Sequence, residues 1–450
     1  MSTFVKQFQR LAVLSFLCGL VSGSAWGQTV SAAASGTMFP GPETLKARAA
    51  GTTEAPRHIS FPAAGGTVST EVVTGMAQDP PAVTLPLWAF NVRAARDGRR
   101  HRGVDVGTDP FTSPGTSNVP VRIFPVRFVL HEVATAFDAS TFAISTQPAH
   151  YTIDPTVPDQ ACMGNSNNVP AIVLRQSPIF EPVNFSFGAT ALGTVQYVDA
   201  HQRASFFNAN PNVPANYHLV LDPAFLSGPI TVDVPAYAGL AIDPNVAQIF
   251  HSAFGFDFCG LSAIVDINWW DDYLNDVLLP HLAGAGVSPA NLPYFMVYNT
   301  WMAAPVTFFG SCCIGGYHSF GFAGLNPTLP SQTYAVANFD TTDIFGAGAL
   351  DTAIAAHEIG EWANDPFGIN LVPPWGGTGQ VPGCQANLEV GDPLTGTNMP
   401  NVTGANGFTY HLQELAFFSW FFGAPSVGAN GWFSGNGTFL TDAGVPCHYF

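Results

Sequence analysis

The stretch AAHEIGEWANDP, Ala355 to Pro366, puts one imidazole and two carboxylates within a few residues of each other. On a helix, His357 and Glu361 are four apart and stack on one face, and Glu358 sits about 100° around the axis. A stacked imidazole and carboxylate can hold a divalent ion. A neighbouring carboxylate that is not a ligand can then take a proton from water on that ion. The chain has twelve histidines and nine glutamates in 450 residues, so random placement yields a His-Glu-x-x-Glu string on the order of 0.005 times. A second His-Glu pair, His131-Glu132, has Thr135 where the partner ligand would stand and is expected to be structural.

A catalytic ion needs a third protein ligand and an open position for water. Downstream, GCQANLEVGDPLTG carries Glu389 on a segment that Cys384 can tether, and Glu389 is the expected third ligand, with His411 and Asp392 as alternatives. The stretch FTYHLQELAFFSWFFG supplies Tyr410 and His411, which can stabilise an oxyanion when water attacks a carbonyl. Glu414, near His411, can orient that imidazole. His318, in CCIGGYHSF, reads as a core or rim residue.

These residues resemble the zincins, closest to the gluzincin pattern of a metal-binding helix followed by a downstream glutamate ligand. His357, Glu358 and Glu389 match that pattern, and Glu361 stands where it has a second histidine. The resemblance covers residues 350–395. It implies a zincin-like α+β catalytic domain and a zinc metallopeptidase acting on protein or peptide substrates, with His357, Glu361 and Glu389 on the metal. Glu358 would be the general base toward a metal-bound water. Two carboxylate ligands favour oxygen-loving divalent ions such as Mn²⁺ more than a two-histidine site does, but zinc remains the expected metal. The same stretch also distantly resembles the exordium (phosphate-induced) secreted plant proteins, which carry a similar His-Glu-x-x-Glu. That likeness implies an alternative, a non-catalytic secreted cell-surface or signalling protein with a structural metal.

The elements that must position these groups can be read in outline. Asp351 or Thr352 can cap the helix, and Asn364-Asp365-Pro366 ends it, because proline disfavours helix in the residue before it. Ala355, Ala356, Ile359 and Trp362 predict that the helix is largely buried. LPYFMVYNTW and QTYAVANFD predict strands, as do LPLWAFNVRA and VPVRIFPVRFVL. RAARDGRRHRG predicts a hairpin turning at Asp97-Gly98. WWDDYLNDVLLPHLAGAG has helical spacing, with aspartates at its start and glycines at its end. The aromatic run Phe417 to Phe422 is expected to be core. The overall expectation is a signal peptide over 1–27, a linker or pro-segment over 28–85, a β-rich domain over 86–160 and the zincin-like α+β domain over 161–450.

The signal reading rests on Lys6 and Arg10 before the apolar run Leu11 to Val21, then Ala25 and Gly27 at the small-residue positions of a cleavage site. The run is too short to span a bilayer, and Leu17 before Cys18 argues against a lipid anchor. The mature chain is therefore expected to be exported, without a membrane anchor. Six cysteines then remain (Cys162, Cys259, Cys312, Cys313, Cys384, Cys447), an even number that favours disulfides. The neighbours Cys312 and Cys313 are expected to find separate partners. The net charge of −17 repels phosphate backbones and argues against nucleic acid as a partner.

Overall fold

The structure is a computed structural model that describes residues 57–60, 69–72, 85–138, 140–159, 167–226, 228–244, 260–307, 312–322, 331–423, 425–442 and 447. The signal-peptide reading, Cys162 and Cys259 lie outside these residues. The described chain is rich in strand and has few helices, none of which is long and apolar enough to cross a membrane.

Strands β1 (Leu87–Arg93) and β2 (Arg100–Val106) form the hairpin expected around Asp97-Gly98, with Arg93 opposite Arg100. Gly98 has φ +70° there, a conformation that favours glycine. Two short strands from the stretch expected to be a linker, Arg57–Ser60 and Ser69–Val72, extend this sheet along β1.

The organising element is β3 (Thr116–Asp138). Its first half pairs in parallel with His218–Phe225 on one side and with β4 (Leu292–Tyr298) on the other. Its second half pairs with Ala143–Ile153 and with Ile230–Val234. Beyond β4 the sheet continues through two further strands, β5 (Gly316–Phe322) at the edge and β6 (Ser331–Phe339), in the order β4, β6, β5. The front and back parts expected to fold apart therefore share one sheet, and the larger of two apolar clusters among the described residues draws on both, from Leu85 to Phe433. All seven residues of β4 are buried, which suits a parallel strand covered on both faces.

The catalytic-looking stretch forms helix α1 (Ala353–Asn364), packed across β5 and β6. Ile359 and Trp362 are buried, each stabilising by about 1.5–3 kcal/mol relative to exposure. The Trp362 indole donates to Thr333 Oγ1 of β6 at 3.0 Å, which fixes the helix on the sheet. Thr352 is at the N-cap position, but its hydroxyl donates to the His411 carbonyl at 2.7 Å and makes no cap bond. At the other end, Asp365 folds back to accept from Ile369 N and Asn370 N.

Ile267–Tyr273 opens the second predicted helix, capped by Asp266, which accepts from the Asn268 and Trp269 amides. After α1 come β7 (Leu371–Thr378) and β8 (Val381–Asn387), an antiparallel pair. Cys384 of β8 is at disulfide distance from Cys447. Cys312 is at disulfide distance from Cys313, its neighbour across a cis peptide bond, and not from a separate partner. Phe417, Phe418, Trp420, Phe421 and Phe422 are core, as expected, with Phe418 against Phe90 and Trp420 against Trp375.

Candidate metal centre

His357, Glu358 and Glu361 project from α1 into a buried polar chamber. The β5–β6 side contributes His318, and the segment after β8 contributes Glu389 and Asp392. His357, Glu358, Glu361, Glu389 and Asp392 are each at most 7% exposed, and the His318 side chain is 5% exposed. Asp365, at the end of α1, is also buried beside them.

Two groups of donors come within ligand distance. His357 Nε2 lies 3.1 Å from Glu361 Oε1 and 3.5 Å from Asp392 Oδ1. His318 Nδ1 lies 3.7 Å from both Glu358 Oε2 and Glu361 Oε2. Each trio can hold one metal ion. Glu389 Oε2 stands 3.9 Å from His318 Nε2.

Hydrogen bonds fix each ring. His318 Nε2 contacts the Asp365 carbonyl at 3.0 Å. A carbonyl only accepts, so Nε2 carries a proton and Nδ1 is the ring nitrogen that faces Glu358 and Glu361. His357 Nδ1 contacts Gln413 Oε1 at 3.0 Å, and Gln413 Nε2 donates to the Gly391 carbonyl at 2.8 Å. That second bond sets the amide orientation, so Nδ1 of His357 donates to Gln413 and Nε2 is the nitrogen that faces Glu361 and Asp392. Fixing the tautomer through the far nitrogen is how metal-binding histidines are usually held.

The carboxylates are positioned as firmly. Glu361 Oε1 accepts from the amides of Gly391 and Asp392, both at 3.1 Å. Asp392 accepts from Gln385 at 2.7 Å and also from Gln380. Two glycines allow the close approach. A Cβ on Gly391 would come within 2.6 Å of the His357 ring, and one on Gly316 within 2.8 Å of Glu358 Cγ.

The electrostatics match a site built for positive charge. Burial raises the Glu358 and Glu389 pKa values, and for Glu389 the neighbouring carboxylates Glu361 and Asp365 push further, to well above the ordinary range. Asp365 is lifted to about 7 by burial. Burial opposes charge on His357 and His318 too, but the surrounding carboxylates outweigh it and raise both. Glu361 is held low despite burial, chiefly by His357. Glu389 Oε2 is buried without a hydrogen-bond partner among the described residues. Such an atom needs a proton or a cation, and the nitrogen and oxygen donors around it suit zinc or another divalent ion.

The helix and the downstream segment thus bring His357, Glu358, Glu361 and Glu389 into one chamber. The residue at ligand distance from His357 and Glu361 is Asp392, the alternative to Glu389. Tyr410 and His411 have other partners. The Tyr410 hydroxyl donates to the Val173 carbonyl at 2.9 Å and accepts from Asn406. His411 Nδ1 is paired with Asp351 at 2.7 Å. Glu414 does not orient His411; it accepts from the Asn436 amide and the Thr438 hydroxyl. His131, the decoy, pairs with Asp233 at the surface. Three residues join the cluster beyond the expected set: His318, which the sequence marks as a core or rim residue, Asp365, which it marks as part of a helix stop, and Gln413, whose type gives no sign of chemistry.

No family model, curated protein or solved structure matches the chain.

Proposed function

We propose that this chain is a secreted metal-dependent hydrolase, a zinc metallopeptidase in particular, with a zincin-like centre. The carrying observation is His357 Nε2 lying 3.1 Å from Glu361 Oε1 and 3.5 Å from Asp392 Oδ1, beside a buried Glu389 oxygen that has no hydrogen-bond partner among the described residues. A divalent ion bound there would polarise a peptide carbonyl and acidify water. His357, Glu361 and Asp392 would hold it, Gln413 and the Gly391 and Asp392 amides orient the first two, and Glu389 is a further buried carboxyl beside them. In the form with one ion, Glu358 lies outside the ligand trio on the same helix and is the group placed to take a proton from water and return it to a leaving amine.

Burial of the whole trio supports a second reading, a non-catalytic exported protein that keeps the ion for stability. One experiment separates the two. Metal content of the parent chain and of Glu361→Ala is measured alongside hydrolysis of a denatured-protein substrate, with and without chelator. Metal-dependent cleavage that is restored by Zn²⁺ supports the hydrolase. Equal metal content in the two proteins removes the ligand assignment. Chelation that only lowers the melting temperature of an inactive chain selects the structural role.

A further inference from the structure

The two oxygens of Glu361 face different imidazoles. Oε1 looks toward His357 Nε2 and Oε2 toward His318 Nδ1. The far nitrogens of both rings are engaged, by Gln413 and by the Asp365 carbonyl, so the near nitrogens are the ones that face Glu361. A ring nitrogen 3.1–3.7 Å from a carboxylate oxygen is joined to it either by its own proton or by a metal ion that displaces that proton. Metal–donor bonds of about 2.0–2.2 Å in a tetrahedral set separate the donors by about 3.3 Å. All four nitrogen–oxygen contacts are within a few tenths of an ångström of that.

We propose that Glu361 bridges two divalent cations, one held by His357 Nε2 and Asp392 and the other by His318 Nδ1 and Glu358. The inference rests on the metal-centre reading above. With the second ion bound, Glu358 is a ligand, and the unpartnered Glu389 is the carboxylate left to handle protons. The charge in the chamber supports two ions over one. Glu358, Glu361, Asp365, Glu389 and Asp392 face two imidazoles, more carboxylates than one divalent ion would pair, and an unpaired buried charge is costly. Glu389 Oε2, buried 3.9 Å from the His318 ring and without a hydrogen-bond partner among the described residues, is independent of the bridging geometry and offers a further oxygen to a cation.

The test is metal stoichiometry of the full chain, stripped with chelator, loaded with Zn²⁺, desalted and assayed by elemental analysis and native mass spectrometry. Two ions per parent chain, falling to one in His318→Gln and to one in His357→Gln, is the expected result. One ion in the parent that survives His318→Gln but not His357→Gln overturns the second site and leaves the proposed hydrolase standing. One ion lost in both variants means that both rings share a single ion, and also overturns it. No bound ion in the parent overturns both readings. Should His318→Gln lose its near-ultraviolet circular dichroism, the parent stoichiometry decides alone.

Discussion

Glu361 Oε1 lies 3.1 Å from His357 Nε2, one helical turn away, and at the same distance from the amides of Gly391 and Asp392. The carboxylate thus joins the helix to the segment after β8.

Glu358→Gln should keep the ion at the His357 trio, because Glu358 is not part of it. Turnover should fall about 10²–10⁴-fold whether the lost group serves as base or as ligand to a second ion. Glu361→Gln should lose both metal and turnover. Metal content and hydrolysis measured on the same preparations check both, and a Glu358→Gln protein as fast as the parent removes Glu358 from the chemistry.

Gly391→Ala should act through His357. The new methyl would meet the imidazole Cγ and Nδ1 at 2.6 Å and disturb the ring that Gln413 orients. The expected cost is about 1–3 kcal/mol of stability, the usual range for overpacking, together with weaker Zn²⁺ binding. Denaturant unfolding and a Zn²⁺ titration read the two effects. Parent-like values in both would mean that the segment after β8 is free to shift.

Tyr410→Phe distinguishes the expected oxyanion role from the contacts in the structure. The hydroxyl is committed to Val173 O and Asn406. Its loss should cost about 0.5–1.5 kcal/mol of stability and leave turnover unchanged. A fall in kcat of about 10²-fold or more would restore Tyr410 to the oxyanion site.

Stability should respond to pH through Asp271, away from the metal centre. Burial pushes its carboxyl up to about 6, while the Tyr334 hydroxyl donates to it. The folded state therefore binds this proton more tightly than the unfolded chain does, with its pKa of about 3.9. The contribution favours folding below about pH 4 and is lost as pH rises through about 6, a swing of about 3 kcal/mol. Asp271→Asn keeps an acceptor for Tyr334 and removes the charge. Its melting temperature should exceed that of the parent at pH 7.5, and the gain should vanish near pH 4. A gain independent of pH would exclude Asp271 as the source.

What the sequence could reveal followed the reach of each signal. His357, Glu358 and Glu361 were legible because helical spacing is a local rule, and the Asp97-Gly98 hairpin because its turn chemistry is local too. Asp392 and Glu389 are three residues apart on an irregular stretch, where no periodicity says which side chain turns inward. His318 reaches the chamber only because β5 pairs antiparallel with β6 beneath α1, a relation that the residues around it do not encode. Tyr410 and His411 are adjacent on a short extended segment and leave it toward different neighbours. The shared sheet was hidden for the same reason: β3 recruits strands from residues 218 to 298, and pairing over such separations has no local signature.

Closure of the chamber bears on kinetics as well as on affinity. The groups that line it come from four separate stretches, around 318, 357–365, 389–392 and 413, so no site exists until those stretches have docked. Once they have, the lining side chains are almost fully buried, so passage of an ion, a chelator or a substrate would need the protein to open locally. The rate at which metal leaves would then report how often α1 and the segment after β8 part. Exchange of a labelled ion becomes a clock for that motion, slow in a protein whose equilibrium affinity is modest and insensitive to how much chelator is added.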